Sequence, residues 1–394
     1  MARPSPFHSR TESLCESFSW KDWAGVHSPC VYGDCLDPEH QAIRVSCGLI
    51  DVSPLFKTAI RGPGAAAFLA RVLPRDLSSL EAGKVVYTSW MDEDGWLLDD
   101  GTLACWGNDD YRLTSADPAF NWLDQHCRGF EVELEDQTAS IASLALQGPT
   151  SCAVLSSAFS RDFSELEFFG AWEGSVEGIP IQVTRTGYTG DLGFEIWCPS
   201  SEGPAVWDML FTAGSDYGLL PVGLDALDVA RIEAGFVLQG VDYRSSHSCL
   251  LDSQRSTPFE AGLGWTVDKT RSDFVGAAAS LAASRNPTKV LVGLEVDIEG
   301  LEYLHERVAL PMEMPPGAHR DPVVLSSGGR QVGRVTSRAW SPLLKKVLAL
   351  GTVLPECGRR GSKLEVDAWV NDEQVRVSAE VVPRPFFDPT RKKA

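Results

Sequence analysis

The stretch that decides the fold is residues 87–106, YTSWMDEDGWLLDDGTLACW, in which two apolar runs flank a short polar turn. Asp94 and Gly95 lie at its centre and form the Asp-Gly pair that tight hairpin turns prefer. Aromatic and aliphatic residues dominate both runs, and such runs favour strands when turn residues bound them. The sequence therefore predicts a β-hairpin over residues 87–106.

Two adjacent carboxylates, Asp99 and Asp100, follow the apolar part of the second run. Successive residues of a strand face opposite sides, so these two side chains cannot both point inward. One of them can lie in a pocket and manage a proton on a ligand nitrogen, while the other is solvated or caps a turn. From these residues alone, Asp99 is more simply interpreted as a turn aspartate before Gly101.

The rest of the chain predicts an α+β protein with an all-β end. Strands are expected over residues 49–61 and 193–198, and helices over residues 65–73, 203–214 and 224–234, with Gly235 placed to end the last helix. A helix-like stretch at 277–287 follows. Five strand-like runs then come at short spacing and predict a small antiparallel barrel: 290–296, 329–336, 348–354, 363–370 and 374–382. Residues 302–322 are predicted as a polar loop, and we expect two regions, 1–275 and 288–388.

Composition excludes several functional classes. The net charge of −19 argues against partners such as nucleic acid or anionic membrane surfaces, because both attract basic faces. No apolar run approaches the roughly 18–20 residues that span a bilayer, and the first residues lack the pattern of a secretion signal, so a cytoplasmic location is expected. The ten cysteines form no CxxC pair and the seven histidines lie apart, so no metal site is expected.

A glycine-rich loop provides a second candidate site. Gly187, Gly190 and Gly193 lead into the predicted strand 193–198, which carries Glu195. Glycines at this density indicate a tight turn or a backbone that approaches something flat. A carboxylate at Glu195 can accept two parallel hydrogen bonds from an aminopyrimidine edge, and a solvated glutamate at a strand edge is the alternative.

Collinear segments of this sequence resemble the glycine cleavage T-protein (aminomethyltransferase) family. The resemblance extends from about residue 18 to residue 388 and is carried by GLIDVS (48–53), GWLLDD (95–100), ALQGP (145–149), TGYTGDLGFE (186–195), RIEAG (231–235), TPFE (257–260), GWT (264–266) and TSRAWSP (336–342). It implies a three-lobed, cloverleaf fold with tetrahydrofolate as the cofactor in a central channel. It maps the catalytic carboxylate of the family onto Asp99 and a folate-binding carboxylate onto Glu195. Tyr87 and Tyr188 are then candidates for the walls of the pterin slot, with core packing as the alternative.

The sequence departs from the family pattern in three places. Leu227 stands where the family has a folate-contacting arginine, the family asparagine is missing from residues 114–117, and residues 243–256 are extra chain that includes His247, Cys249 and Arg255. A T-protein docks an acidic lipoyl carrier, which a chain of net charge −19 repels at long range.

These departures lead to three hypotheses. The first is a demethylase that moves a methyl group from a small methylated donor to tetrahydrofolate. The side chains of Trp20, Trp23, Trp90 or Trp96 could form aromatic walls around a cationic donor. The second is aminomethyl transfer from a lipoyl carrier, which forms 5,10-methylene-tetrahydrofolate. The third is a folate-binding protein without catalytic activity.

Overall fold

The computed structural model describes residues 2–312 and 316–394. In these residues the α-helices are α1 (His8–Leu14), α2 (Asp37–Val45), α3 (Ala65–Val72), α4 (Phe120–His126), α5 (Ser151–Phe159), α6 (Gly203–Gly214), α7 (Leu224–Glu233), α8 (Ala277–Ala283) and α9 (Ile298–Glu306). The strands in the same ranges are β1 (Ser19–Trp23), β2 (Val26–Val31), β3 (Cys47–Asp51), β4 (Phe56–Arg61), β5 (Lys84–Met91), β6 (Leu97–Gly107), β7 (Asp110–Ser115), β8 (Glu133–Asp136), β9 (Ile141–Gln147), β10 (Ala171–Val176), β11 (Ile179–Thr184), β12 (Gly193–Pro199), β13 (Leu219–Pro221), β14 (Val290–Val296), β15 (Ala318–His319), β16 (Val323–Ser327), β17 (Arg330–Ser341), β18 (Lys346–Val353), β19 (Lys363–Val370) and β20 (Glu373–Val382).

The predicted hairpin is confirmed and lies in the first lobe. Strands β5 and β6 pair antiparallel in a five-stranded sheet of order β5-β6-β7-β4-β8. The predicted helix at 65–73 is α3, which packs Phe68 and Leu69 into the core of this lobe. The carboxylate pair thus lies near the start of β6, where this strand pairs with β5, and pairing with β7 begins at Gly101.

The single strand predicted over residues 49–61 is wrong. The chain forms β3 and then β4, and these two strands belong to different sheets. Between them Pro54 has no N–H for a sheet ladder, and the Asp51 carboxylate turns the chain by accepting a hydrogen bond from the Ser53 N–H at 2.9 Å. The chain therefore crosses from one lobe to the next within a few residues.

The second lobe is a six-stranded sheet of order β10-β11-β12-β9-β3-β13, with helices α5 and α6 packed on one face. Residues of β12 alternate between its two faces, as strand geometry requires. Phe194 and Ile196 point into the helix-covered core, while Glu195 and Trp197 point towards the first lobe. The predicted strand at 193–198 and helix at 203–214 are both confirmed.

The C-terminal lobe is a closed antiparallel barrel. Its order is β17-β16-β19-β20-β14-β18, and β18 pairs again with β17 to close the ring. The five predicted strand runs are confirmed in β14, β17, β18, β19 and β20, whereas the short strand β16, which closure requires, was not predicted. The prediction of a polar loop over residues 302–322 is partly wrong, because α9 and β15 occupy parts of this range. Residues 313–315 of the same range lie outside the described residues.

Helix α7 joins the lobes, and all of its residues except Asp225 are buried. The Arg231 guanidinium donates to the Asp228 carboxylate at 2.7 Å, to the Asp242 carboxylate at 2.6 Å and to the Ser337 hydroxyl of the barrel at 2.9 Å. Arg231 therefore forms buried ion pairs with Asp228 and Asp242. Glu233 is not its partner, because its carboxylate binds His40 and Arg44 on α2.

Candidate functional site

The hairpin places a half-buried carboxylate at the centre of the candidate site. Asp100 on β6 accepts hydrogen bonds from the phenol hydroxyls of Tyr87 on β5 and Tyr243 beyond α7. In the described part of the chain, no Lys, Arg or His nitrogen lies within 4.0 Å of this carboxylate. Burial raises the pKa of Asp100 to about 6, and the two phenol donors oppose that rise. The group can therefore gain or lose a proton near neutral pH.

Asp99 lies in the same cluster but faces the other side of the strand. It is 2% exposed, and its Oδ2 accepts hydrogen bonds from the backbone N–H groups of Ala116 at 3.1 Å and Asp117 at 2.9 Å. Its Oδ1 accepts from the Asp100 N–H at 2.8 Å and from the Tyr243 hydroxyl at 3.2 Å. Burial, followed by the charge of Asp100, raises the pKa of Asp99 well above its usual range. Asp99 is thus held mainly by backbone donors, whereas Asp100 is held by the two phenol hydroxyls.

Two aromatic pairs form flat surfaces around this cluster. The Tyr87 ring stacks on Trp265, with centroids 5.5 Å apart and planes 14° apart. The Tyr188 ring stacks on Phe236 at 5.7 Å, and its hydroxyl donates to the Val237 carbonyl. Burial raises the pKa of both tyrosines, so their hydroxyls stay protonated and act as donors. Tyr87 and Tyr188 therefore each pair an aromatic ring stack with a protonated hydroxyl.

Glu195 is buried on the second lobe and makes no contact with the carboxylate pair. Its Oε2 accepts a hydrogen bond from the Thr186 hydroxyl at 2.5 Å, and Thr186 in turn bonds the Thr184 hydroxyl at 2.7 Å. Burial raises the pKa of Glu195. The connection to the rest of the site is through the chain, because Tyr188 lies two residues beyond Thr186.

The glycine-rich loop packs against a glutamine rather than leaving open space. A Cβ atom on Gly187 would lie 2.1 Å from the Gln147 Oε1, and one on Gly193 would lie 2.3 Å from the Gln147 Nε2. The Gln147 amide also accepts a hydrogen bond from the Thr189 hydroxyl at 2.8 Å and donates to the Thr186 carbonyl at 3.2 Å. These glycines therefore allow a close approach of the loop to Gln147, which positions Tyr188 and Glu195.

The extra segment 243–256 is anchored to the hairpin near both of its ends. Tyr243 is 3% exposed and contacts both carboxylates, the Ser246 hydroxyl donates to the Asp92 carboxylate at 2.6 Å, and the Ser256 carbonyl accepts from the Leu97 N–H at 2.8 Å. Between these anchors the segment is exposed, with Leu250 at 93%. Tyr243 is the site residue that sequence reasoning missed, since nothing in its surroundings in the sequence indicates a contact with Asp100.

Three of the four tryptophans suggested as donor walls have other neighbours. Trp90 is 2% exposed in the core of the first lobe, Trp20 packs on the His8 ring, and Trp23 packs against the cluster around α7. Trp265 provides the aromatic face next to Tyr87 instead.

The described residues contain neither a metal-binding cluster nor a helix suited to a membrane. Across residues 2–312 and 316–394, no group of three or more His, Cys, Asp and Glu side chains is arranged to hold a metal ion. Within these ranges, no helix combines the length and apolarity that crossing a bilayer requires.

Comparisons with known proteins agree on one family across both parts of the chain. The family model for the GCVT N-terminal domain matches residues 14–271, and that for the glycine cleavage T-protein C-terminal barrel domain matches residues 289–388. The crystal structure of glycine cleavage system aminomethyltransferase T from Bartonella henselae superposes with a TM-score of 0.83, at 27% identity, over 98% of this chain and 99% of that one. The α+β, three-lobed fold with a C-terminal barrel is therefore confirmed.

Curated relatives carry two different names. An aminomethyltransferase from Geobacillus thermodenitrificans is 35% identical over 93% of this chain and 93% of its own length, and one from Halothermothrix orenii is 31% identical over 93% and 95%. A trimethylamine-oxide aldolase from Ruegeria pomeroyi is 32% identical over 100% of this chain but only 48% of its own length. The chain thus spans about half the length of that relative.

Proposed function

Because this chain belongs to the glycine cleavage T-protein family, we propose that it transfers a one-carbon unit from a small donor to tetrahydrofolate. The observation that carries the proposal is the Asp100 carboxylate, which lies half-buried between two phenol hydroxyls with a pKa of about 6. Such a group suits proton transfer at neutral pH, because general acid–base catalysis is most effective when the pKa lies near the working pH. We further propose a cytoplasmic location.

The residues of the site fit a reduced pterin. Tyr87 and Tyr188 offer ring faces, and Glu195 is a buried carboxylate without a cationic partner within 4.0 Å among the described residues. A buried acceptor of this kind is satisfied by a ligand that brings several N–H donors. Tetrahydrofolate would supply the nitrogen that accepts the one-carbon unit.

The two carboxylates have different tasks in this proposal. Asp100 takes up or releases the proton, and the hydroxyls of Tyr87 and Tyr243 hold its charged form in place. Asp99, which the family mapping assigned as the catalytic residue, acts next to it by holding the bend at Ala116 and Asp117 against β6. We therefore assign Asp100 to proton transfer and Asp99 to positioning.

A methylated, cationic or dipolar donor is the form of this function that we favour. The net charge of −19 attracts cations, and Trp265, which stacks on Asp100's partner Tyr87, already has the Arg75 guanidinium 5.5 Å from its ring centroid, so this aromatic surface accepts a cation. The name of the Ruegeria pomeroyi relative, trimethylamine-oxide aldolase, adds support for a methylated nitrogen compound. Demethylation of such a compound is our leading proposal.

Aminomethyl transfer is the second candidate, supported by the names of the Geobacillus thermodenitrificans and Halothermothrix orenii relatives. It requires docking of an acidic lipoyl carrier, which the charge of this chain opposes. Folate binding without catalysis ranks third, because it leaves the pKa of Asp100 without a purpose.

The test combines a donor panel with two matched variants. The protein is incubated with tetrahydrofolate and either methylated amines, amine oxides and sulfonium compounds, or an aminomethyl-loaded lipoyl carrier. The formation of methyl- or methylene-tetrahydrofolate is measured with every donor. With the lipoyl carrier, the release of ammonia is measured as well. Asp100→Asn should lower the rate with the active donor by about 10²–10⁴-fold. Compared with Asp100→Asn, Asp99→Asn should retain more activity but have a lower free energy of unfolding.

Three outcomes separate the candidates. Product from a methylated donor supports the leading proposal, and ammonia release with the lipoyl carrier alone supports the second. Folate binding without product from any donor, unchanged in Asp100→Asn, would leave only the third.

A further inference from the structure

A cleft of about 520 Å³ lies between the first two lobes, away from the carboxylate cluster. One wall is the outward face of β11 and β12, and the other is the end of the β6–β7 hairpin. Trp106 and Trp197 provide its aromatic surfaces. None of the residues assigned above to the folate and carboxylate site lines this cleft, so its chemistry has to be explained separately.

An unpaired cation lies in the wall of the cleft. Arg112 is 4% exposed and lies between the two indole rings, at 4.9 Å from the Trp106 centroid and 4.6 Å from that of Trp197. Its Nη1 donates to the Gln182 Oε1 at 2.6 Å. In the ranges that the structure describes, no carboxylate lies within 4.0 Å of this guanidinium, and no other hydrogen bond of it is found.

The carboxylates of Asp110, Glu195 and Glu173 act on Arg112 from beyond 4.0 Å and offset part of its charge without a direct ion pair. A buried charge that lacks an ionic partner loses hydration without recovering it through a counter-charge. Burial lowers the pKa of Arg112 to about 9, yet the guanidinium remains charged at pH 7. The stacked indoles recover part of this loss, and the in-plane N–H donors that do not bond Gln182 stay available to a ligand in the cleft.

The opposite charge lies at the mouth of the same cleft. The Glu173 carboxylate is exposed and accepts a hydrogen bond from the Gln182 Nε2 at 3.3 Å. Gln182 therefore bridges Arg112 and Glu173, and neither has an ionic partner within 4.0 Å in the described residues. Arg61, also on the cleft, differs: it already pairs with Asp110 at 3.1 Å and with Glu135 at 2.8 Å.

We propose that this cleft is a second small-molecule site, for a zwitterion whose carboxylate binds Arg112 and whose ammonium group lies against Glu173. A guanidinium with free in-plane donors matches a carboxylate in shape and charge. The indole walls exclude water and so strengthen that contact. Glu173 then selects ligands that carry a positive charge at the other end, and this selection distinguishes the site from a simple anion site.

The first experiment uses the wild-type protein and three probes, a zwitterion and the two compounds that remain when one of its charged groups is removed. β-Alanine carries both charges, propionate carries only the carboxylate and ethylamine carries only the ammonium group. Calorimetry and ligand-observed NMR should show β-alanine binding at least about tenfold more tightly than either half-ligand. No β-alanine binding at tens of millimolar, or equal binding of β-alanine and propionate, overturns the zwitterion site.

The second experiment locates the binding. Arg112→Met keeps an apolar stem between the indoles but removes the charge, and it should abolish binding of β-alanine. Glu173→Gln changes only an exposed group. It should reduce the affinity of the protein for β-alanine to its affinity for propionate. Arg61→Met is the matched control and should leave the affinity unchanged. If wild type and Glu173→Gln bind β-alanine equally well, the proposal is contradicted, whether or not Arg112→Met folds. Arg112 would then have the structural role of joining the two lobes.

Discussion

Asp100 shows how two residues of the same type acquire different properties from neighbouring positions on one strand. Both carboxylates are buried to some degree, yet Asp99 accepts backbone N–H groups while Asp100 accepts two phenols. If ionised Asp100 takes up a proton during the reaction, activity should fall as the pH drops below about 6. The pH dependence of kcat/KM measures this, and a flat profile between pH 5 and 8 would contradict the role.

Tyr243→Phe tests how this pKa is controlled. The phenol of Tyr243 lowers the pKa of Asp100 by donating to its charged form, so its removal should move the acid limb of the pH profile upwards. Tyr87→Phe is the matched control, because Tyr87 also donates to Asp100 but has no hydrogen bond to Asp99. We expect both variants to move the limb in the same direction, with a loss of stability only in Tyr243→Phe. A downward shift would contradict the assignment.

The raised pKa of Asp100 also has a consequence for stability. Folding raises the pKa of Asp100 from 3.8 to about 6. The contribution of Asp100 to the free energy of unfolding therefore falls as the pH rises from about 4 to about 6, and it stays at this lower value above pH 6. Asp100→Asn should therefore increase the free energy of unfolding at pH 8 by about 1–3 kcal/mol and change it little at pH 4. Urea unfolding at the two pH values measures the difference. A variant that is less stable at pH 8 would show that the charge is better compensated than the structure indicates.

At the residue scale, the sequence named the carboxylate pair and Glu195 as candidates but did not determine which of the pair is held by backbone donors and which by phenols. Alternation along β6 predicted that Asp99 and Asp100 face opposite sides. The choice between the sides depends on the backbone of Ala116 and on Tyr243, which are distant in the sequence. The assignment of Asp99, Tyr87, Tyr188 and Glu195 to folate stays a prediction.

At the scale of elements, α7 and β17 are joined by the buried network around Arg231. Arg231→Met would leave Asp242 and Asp228 buried with fewer donors, and we expect a loss of about 3–5 kcal/mol in unfolding free energy. Arg320→Met is the control, since Arg320 also binds Asp228 but is 41% exposed and should cost at most about 1 kcal/mol. Denaturant unfolding measures both, and equal losses would contradict a special role for the buried arginine.

Elements with a clear period or turn signal could be predicted from the sequence, and short connecting elements could not. The hairpin 87–106 and the barrel strands carry alternation and turn residues, and the structure has them in these places. Strand β16 is five residues long and obtains its stability from pairing with β17 and β19, which no local pattern reveals. The break between β3 and β4 depends on which sheet each strand joins, and this is a property of the tertiary structure. The division into 1–275 and 288–388 stays a prediction.

At the scale of the whole molecule, the charge of −19 makes a prediction about kinetics. A cationic donor is attracted over distances that salt screens, with a Debye length of about 10 Å at 0.1 M. The kcat/KM for such a donor should therefore fall several-fold between low salt and about 0.5 M. An uncharged donor provides the control and should show little change. If an acidic lipoyl carrier is the true donor, salt should instead raise its kcat/KM.

Residues 243–256 combine fixed ends with a free middle. The ends are held by Tyr243 on the carboxylates and by Ser256 on β6, while the part around Leu250 is exposed to solvent. Substitutions around Leu250 therefore leave the anchored ends in place. The hairpin and its two carboxylates can keep their geometry while the middle of this segment varies in sequence.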